Sequence, residues 1–576
     1  MTKRARIATF GRAAMLAAAL GGCAGGDDRP AGDGTPAAPG GLGGFLAGRF
    51  AQAQGDTGAA ADLFLTAARA DPETIELTQR AFALLLAEGR HDEAAPLADR
   101  LLAIDDESPL PLLLPGERAP AAGQGATAAA HLEHMPRKGL TAFAAPLLLA
   151  WAQAMAGDTE SALATLEPKG DTRVFAPIYD FHLGLVADLA GRADLAERHL
   201  KAAVEAQPTL RVVQALGAFY QRAGRLDEAR ALYARHQGDT LDHVLFDADA
   251  TLARGRAAPR PVANATEGLA EALLETASLA RQGNATDIAL LFGRFALALR
   301  PDFPLAQLLL ADLLTRNQRL ADANAVYGAM ERGPAGDFAR LRLALNLDAM
   351  GDTAGAVAEL SRLAAADSTA VEPLVAWGDL LRRHKRFAEA VPVYRDAIAR
   401  ARAAAQPPPA ARLWPLHFGL GIVLERARQW PEAEAELREA LRLHPDQPDV
   451  LNYLGYTWID RGENLVEGRT LLERAVQARP NDGAIVDSLG WALYKLGDVA
   501  GAVRHLERAV ELNPHESVIN EHLGDALWRA GRVIEARFQW QRALSLDPEP
   551  DQIEALKAKI ESGRLPSSDT TRHPAP

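Results

Sequence analysis

Four glycines, Gly421, Gly455, Gly490 and Gly524, follow one another at intervals of 34, 35 and 34 residues. The residues around them recur in register. Gly490 is preceded by Leu489 and followed by Ala502, Leu506, Ala509 and Pro514; Gly524 by Ala536, Trp540, Ala543 and Pro548; Gly421 by Ala433, Leu437, Ala440 and Pro445. A unit of this length cannot bury an apolar face alone, so the chain must stack successive units into a continuous core. Small residues at the Gly and first Ala positions let two helices approach closely. The large residue four places later fills the gap, and the second Ala leaves room for the next unit. The proline ends one helix and suits the first turn of the next. A hydrophobic content of 48% with only 6% aromatics favours close-packed helices over sheets. The expectation is an all-α chain.

Weaker copies run upstream. Gly378 leads to Ala390, Tyr394 and Ala397; Gly184 to Ala196, Leu200, Ala203 and Pro208; Gly217 to Ala229 and Tyr233; and Gly48 to Ala60, Phe64, Ala67 and Pro72. Turn signals such as Gly157-Asp158, Gly191-Arg192, Gly351-Asp352 and Gly497-Asp498 punctuate helix pairs. The pattern gives about eleven to thirteen repeats. The extra residue after Gly455 fits a longer turn at Gly462-Glu463-Asn464.

Two stretches break the rhythm. Residues 105–130 hold Pro109, Pro111, Pro115 and Pro120, and 248–265 hold Pro259 and Pro261. The first reads as a divergent insert and the second as a joint between two arrays. A smaller insert, Gln406 to Pro409, lengthens one turn. The expected organisation is 43–247 as an N-terminal array, 248–265 as the joint, 266–548 as a C-terminal array, 549–562 as a capping helix and 563–576 as a disordered tail.

The head is a separate element. Lys3, Arg4, Arg6 and Arg12 precede an apolar run, Ala13 to Leu20, and then Leu20-Gly21-Gly22-Cys23. This is the layout of a secretory signal, too short to span a bilayer. Its end resembles the lipobox of bacterial lipoproteins, which implies that 1–22 is a signal peptide and that Cys23 is acylated. Ala24 in place of an aspartate then favours the outer membrane. Residues 23–42, rich in Gly, Ala, Pro and Asp, read as a flexible tether. Cys23 is the only cysteine, so no disulfide supports the fold. The net charge of -13 opposes nucleic-acid binding.

The recurrent positions are those of the tetratricopeptide repeat (TPR). The stretch from Leu451-Asn452-Tyr453-Leu454-Gly455-Tyr456 through Asp487-Ser488-Leu489-Gly490-Trp491 to Asn520-Glu521-His522-Leu523-Gly524-Asp525 resembles exported, lipoprotein-type TPR proteins of Gram-negative, largely alphaproteobacterial, bacteria. The resemblance extends to Arg300-Pro301-Asp302-Phe303-Pro304 and fits 107–130 poorly. It implies an α-solenoid, a right-handed superhelix of antiparallel helix pairs, and an exported scaffold role without enzyme activity.

The residues themselves suggest no catalytic centre, metal site or cofactor. HExxH, GxSxG and phosphate-loop patterns are missing. His131 and His134, three apart, are the nearest approach to a metal pair and read as ordinary surface residues. Carboxylate pairs such as Glu432/Glu436 and Glu507/Glu511 are what any charged helix surface supplies. The first helix of each repeat lines a concave face, and positions beside the anchor glycine and one turn on project toward it. In the last repeats these are Asn452, Tyr456, Asp460, Asp487, Trp491, Tyr494, Lys495, Glu521, Asp525, Trp528 and Arg529. Aromatics among charged and amide groups suit a protein or peptide partner; each could equally serve packing between neighbouring first helices. The expected function is a non-catalytic protein-binding scaffold or assembly factor, held at a membrane by its lipid and facing the periplasm. A glycan- or peptidoglycan-binding groove is the alternative, a hydrolase a more remote one, and an open solenoid end also allows self-association.

Overall fold

The computed structural model describes residues 41–54, 56–104, 111, 125–167, 174–236, 246–330, 334–403 and 413–565. The signal, Cys23, most of the tether, most of the 105–130 insert, the Gln406–Pro409 insert and the tail beyond 565 lie outside the described residues. Among those described there are 29 α-helices and no strand.

The helices run α1 (Gly41–Ala53), α2 (Thr57–Ala70), α3 (Ile75–Ala87), α4 (His91–Leu102), α5 (Gly125–Glu133), α6 (Leu140–Met155), α7 (Thr159–Leu166), α8 (Ala176–Leu189), α9 (Ala193–Ala206), α10 (Leu210–Arg222) and α11 (Leu226–His236). A short α12 (Ala248–Ala253) follows, then α13 (Ala265–Gln282), α14 (Thr286–Leu299), α15 (Pro304–Arg316), α16 (Leu320–Ala329), α17 (Pro334–Ala349), α18 (Thr353–Ala366), α19 (Glu372–Arg383) and α20 (Phe387–Ala403). The last stretch is α21 (Trp414–Arg426), α22 (Trp430–Leu443), α23 (Pro448–Arg461), α24 (Leu465–Ala478), α25 (Gly483–Lys495), α26 (Val499–Leu512), α27 (Ser517–Arg529), α28 (Val533–Leu544) and α29 (Pro550–Ser562).

Contacts divide the chain into two units: residues 1–119 with 130–136, and 120–129 with 137–576. In the first, α1 packs on α2 and α3 on α4, around Phe64, Phe82, Leu85 and Leu101. The second is an all-α TPR solenoid, in which helices pair and each pair packs on the next.

Close backbone approach explains the spacing of the anchors. A β-carbon on Gly490 would lie 2.7 Å from Leu506 Cγ, and one on Gly524 would lie 2.5 Å from the Trp540 ring. Each residue sixteen places after the glycine therefore fills the space left by a missing side chain. Ala502, Ala509, Ala536 and Ala543 are fully buried where neighbouring helices leave no further volume. In the longer repeat a second glycine takes the place of the first Ala: Gly455 and Gly468 face one another, and a β-carbon on Gly455 would sit 2.8 Å from Gly468 O.

The turn inside most pairs uses one residue in the left-handed region. Gly497 has φ 88°, but the equivalent position before α22 is Arg428 at φ 63°. A side chain there is strained by about 1–2 kcal/mol. Arg428 is exposed, so Arg428→Gly is expected to stabilise the chain by about 1 kcal/mol in thermal unfolding, part of the relieved strain being offset by glycine's greater freedom when unfolded. Gly497→Ala should cost a similar amount.

Candidate functional site

The inner helices of the solenoid do not present one open face. In its first part, α6, α8 and α10 are met by the chain itself. Helix α13 packs on α6 and α8, and Gly268 lets the α13 backbone lie against the Trp151 ring, where a β-carbon would fall 2.2 Å from Cε3. Trp151 Nε1 donates to His182 Nδ1 at 2.9 Å. Burial, partly opposed by the Glu271 charge, pulls the His182 imidazole down to about 4, so it stays neutral. Arg211 grips the fully buried Glu271 through Nε at 2.8 Å and Nη2 at 2.5 Å. Around this pair, Gln221 donates to Thr251 O, Arg222 to Pro259 O, and Arg211 and Arg300 to Pro261 O. The 248–265 segment, read from its prolines as a joint, is held through its backbone carbonyls by Arg211, Gln221 and Arg222 of α10 and by Arg300 just after α14.

At the far end, the residues singled out from sequence fall into two groups. Of those on α27, Glu521, Asp525 and Trp528 are engaged by the last described helix and the glycine after it. Lys559 of α29 is buried and donates to Glu521 at 2.8 Å and to both Asp525 oxygens at 2.8 and 2.9 Å. Asp525 also accepts from Trp540 Nε1 at 2.8 Å. Burial alone would depress the Lys559 ammonium, but the two carboxylates outweigh it and hold it above its usual range. Trp528 Nε1 donates to Gly563 O at 3.0 Å, closing the same contact.

Residues on α23 and α25 surround Trp491. This ring is half-buried and lies near-parallel to Tyr494, with centroids 4.8 Å apart, and to His522, 4.0 Å apart. The Lys495 ammonium stands 5.1 Å from the Trp491 centroid and 4.0 Å from the exposed Asp460 carboxylate. Arg529 covers Tyr494 at 4.2 Å. Tyr456 is half-buried, and burial, followed by the charges of Asp460 and Asp487, pushes its hydroxyl up to about 12. Asn452 is half-buried, with a buried Oδ1 that meets no hydrogen-bond donor. Asp487 and Tyr494 are buried, forming floor rather than rim.

His522, which the sequence reading did not single out, joins the groups. Its Nδ1 is 3.0 Å from both Asp487 oxygens. Burial is the largest influence and would lower its pKa, but the charge and hydrogen bond of Asp487, joined by the Asp525 and Glu521 charges, together outweigh it and the net shift is upward. A histidine pKa raised on folding contributes stability that is fully present below the unfolded value, about 6.5. That contribution fades as pH climbs through the raised folded value. Asp487→Asn should bring the His522 titration, followed by NMR, down and remove this pH dependence. Lys559 was missed likewise. The available signal is distance along the chain: Asp487–His522, Trp528–Gly563 and Arg529–Tyr494 are each 35 residues apart and Lys559–Asp525 is 34, one repeat length.

Among the described residues no group of three or more His, Cys, Asp or Glu is placed to hold a metal ion. His131 lies half-buried on α5 and His134 just beyond its end. No described helix is long and apolar enough to cross a membrane.

These geometries define a repeat protein whose inner face carries the polar and aromatic chemistry. Comparison with known proteins agrees on the repeat type: residues 418–483 and 488–549 match the tetratricopeptide repeat family. A TPR repeat-containing protein of Pseudomonas aeruginosa is 36% identical over 91 residues, covering 16% of this chain and 15% of that protein. The chain thus matches only a small part of that relative's length. Its source is a gammaproteobacterium, so the alphaproteobacterial leaning of the resemblance does not extend to this match. Among solved structures, the anaphase-promoting complex assembly Cut9–Hcn1 covers 85% of this chain and 96% of its own at 16% identity and TM-score 0.35. YrrB, described as a TPR protein with an unusual peptide-binding site, covers 34% of this chain and 97% of its own at 18% identity and TM-score 0.27. At TM-scores this low nothing about partner or pathway follows.

Proposed function

We propose that this protein is a non-catalytic scaffold of the bacterial cell envelope that holds a protein or peptide partner against α23 and α25. The observation that carries this reading is the state of Trp491. It is a large half-buried ring bordered by an exposed cation and an exposed anion, Lys495 and Asp460, while Glu521 and Asp525 on the adjoining inner helix α27 are taken by Lys559 of α29. A partly exposed aromatic rimmed by charge is the composition of an interface anchor. The presence of TPR repeats supports protein binding in general.

The envelope setting rests on the sequence of the head. A basic lead, a short apolar run and Leu20-Gly21-Gly22-Cys23 support export and acylation of Cys23, and Ala24 favours the outer membrane, with the body facing the periplasm. The mechanism is recruitment: the lipid fixes the scaffold, and the groove raises the local concentration of its partner.

The test uses the rim rather than the floor. Asp460→Arg with Lys495→Glu changes two exposed side chains and leaves the helix packing intact. Crosslinking in intact cells should capture a partner with the native chain and lose it by about tenfold or more with the double variant, the expected scale for hot-spot loss. Equal capture by both chains contradicts the assignment.

A further inference from the structure

The first described helix carries an apolar face that stands exposed among the described residues. Helix α1 packs on α2 by setting Gly48 against the Phe64 ring and Phe45 edge-on to Phe64, with centroids 5.8 Å apart. Its opposite side presents Leu46 and Phe50, four residues apart and therefore neighbours on one face. They are 60% and 68% exposed. In an internal repeat a preceding helix pair packs on this side of the first helix; among the described residues no helix precedes α1.

Two further features narrow what can cover this face. Residues 24–40 contain no Val, Leu, Ile, Met, Phe, Trp or Tyr, so the adjoining chain has no large apolar side chain to lay on it. In addition, α1 has no acidic residue and a single charge, Arg49, within a chain of net charge -13. An acid-free apolar helix face is compatible with a lipid surface, where aromatic and aliphatic side chains enter the headgroup boundary and an arginine meets anionic headgroups.

The position of Cys23 supplies the occupant. Seventeen residues separate it from Gly41, a contour of at most ~60 Å. Acylation at Cys23 would place α1, the first described helix, within this distance of a bilayer. We propose that Leu46 and Phe50 form a second membrane contact, seating α1 on the bilayer to which the lipid tethers the chain. This inference rests on the lipoprotein reading given under Proposed function. The lipid at Cys23 would hold the chain at the bilayer, and an apolar contact by α1 would fix how that helix lies on it.

The experiment uses the full chain purified from bacterial membranes. Mass analysis of the N-terminal peptide establishes whether Cys23 is the acylated first residue. Because Cys23 is the only native cysteine and acylation blocks its thiol, Phe50→Cys offers a single labelling site for an environment-sensitive fluorophore. Ser545→Cys, at an exposed position near the end of the solenoid, is the control. The acylated protein is placed on phosphatidylethanolamine–phosphatidylglycerol vesicles containing a lipid with a spin label near the headgroup end of its acyl chain. The expected result is a blue shift and several-fold stronger quenching at position 50 than at 545. Both should be lost with Leu46→Glu, while the acylated chain remains in the membrane fraction. Acylated protein with an unquenched label at 50 overturns the second contact and leaves the lipoprotein reading standing. A blue shift without quenching assigns the face to a second copy of the chain and also overturns it. An unmodified Cys23 overturns the lipoprotein reading and this inference with it.

Discussion

Arg211→Ala is expected to destabilise the chain by about 3–5 kcal/mol, the range for stranding one partner of a buried ion pair. Glu271 is fully buried, and Arg211 supplies both of its short charge-assisted bonds while also reaching Gln214 and Pro261 O. Removing the guanidinium leaves an uncompensated carboxylate between α10 and α13. Replacing both partners by apolar groups, as in Arg211→Met with Glu271→Leu, should recover most of the loss, because the desolvation penalty of both charges disappears together. Thermal unfolding of Arg211→Ala and of the double variant separates these terms. A loss under about 1 kcal/mol for Arg211→Ala would place the pair among weak surface interactions and remove the reason for treating α13 as locked onto the inner helices.

Lys559→Met should produce a comparable loss, about 3 kcal/mol or more, with a different reach. The ammonium is the shared donor for Glu521 and Asp525, and Asp525 is almost wholly buried. Without it α29 keeps Leu556 in the core but strands two carboxylates beneath the helix. Each pair in a solenoid touches mainly its neighbours, so damage at an end stays near that end. Hydrogen exchange should therefore accelerate across 550–565 and the adjoining α27 and α28, with α21 and α22 unchanged. Uniform acceleration along the solenoid would show instead that it unfolds as one cooperative body.

The difference in reach follows from how the two contacts arise in sequence. Lys559 stands one repeat length beyond Asp525, in the helix that takes the place of a further inner helix. At the anchor position, where Gly490 and Gly524 admit a second helix, this segment has Ala558, which is exposed; among the described residues no further helix packs there. Arg211 and Glu271 are 60 residues apart, a spacing that belongs to no repeat and reflects α13 packing back on α6 and α8.

The same distinction governs what could be read from residues alone. Gly421, Gly455, Gly490 and Gly524 were legible because close backbone approach leaves little alternative to glycine, and Ala502 and Ala536 because the packed pair leaves no extra volume. The direction of the inner side chains was less so. Asp487 and Asp525 occupy the same register positions as the half-buried Asn452 and Trp491, yet with Tyr494 they are buried, because a neighbouring helix lies close enough to cover them. That proximity depends on rotations between repeats, which small differences at many contacts determine together. The fastening of 248–265 was illegible for another reason. It runs through the carbonyls of Thr251, Pro259 and Pro261, which every residue possesses and no side-chain pattern announces.

Site-specific photocrosslinking tests the central claim most directly. A photoreactive residue at position 495, beside Trp491, is compared in living cells with one at position 469, exposed on the outer helix α24. Binding through α23 and α25 predicts one adduct of defined mass from 495 that disappears when Trp491→Ala is added to a chain shown to remain folded, and none from 469. The same adduct from both positions, or from 469 alone, contradicts it and returns Trp491 to the packing of α25 on α27.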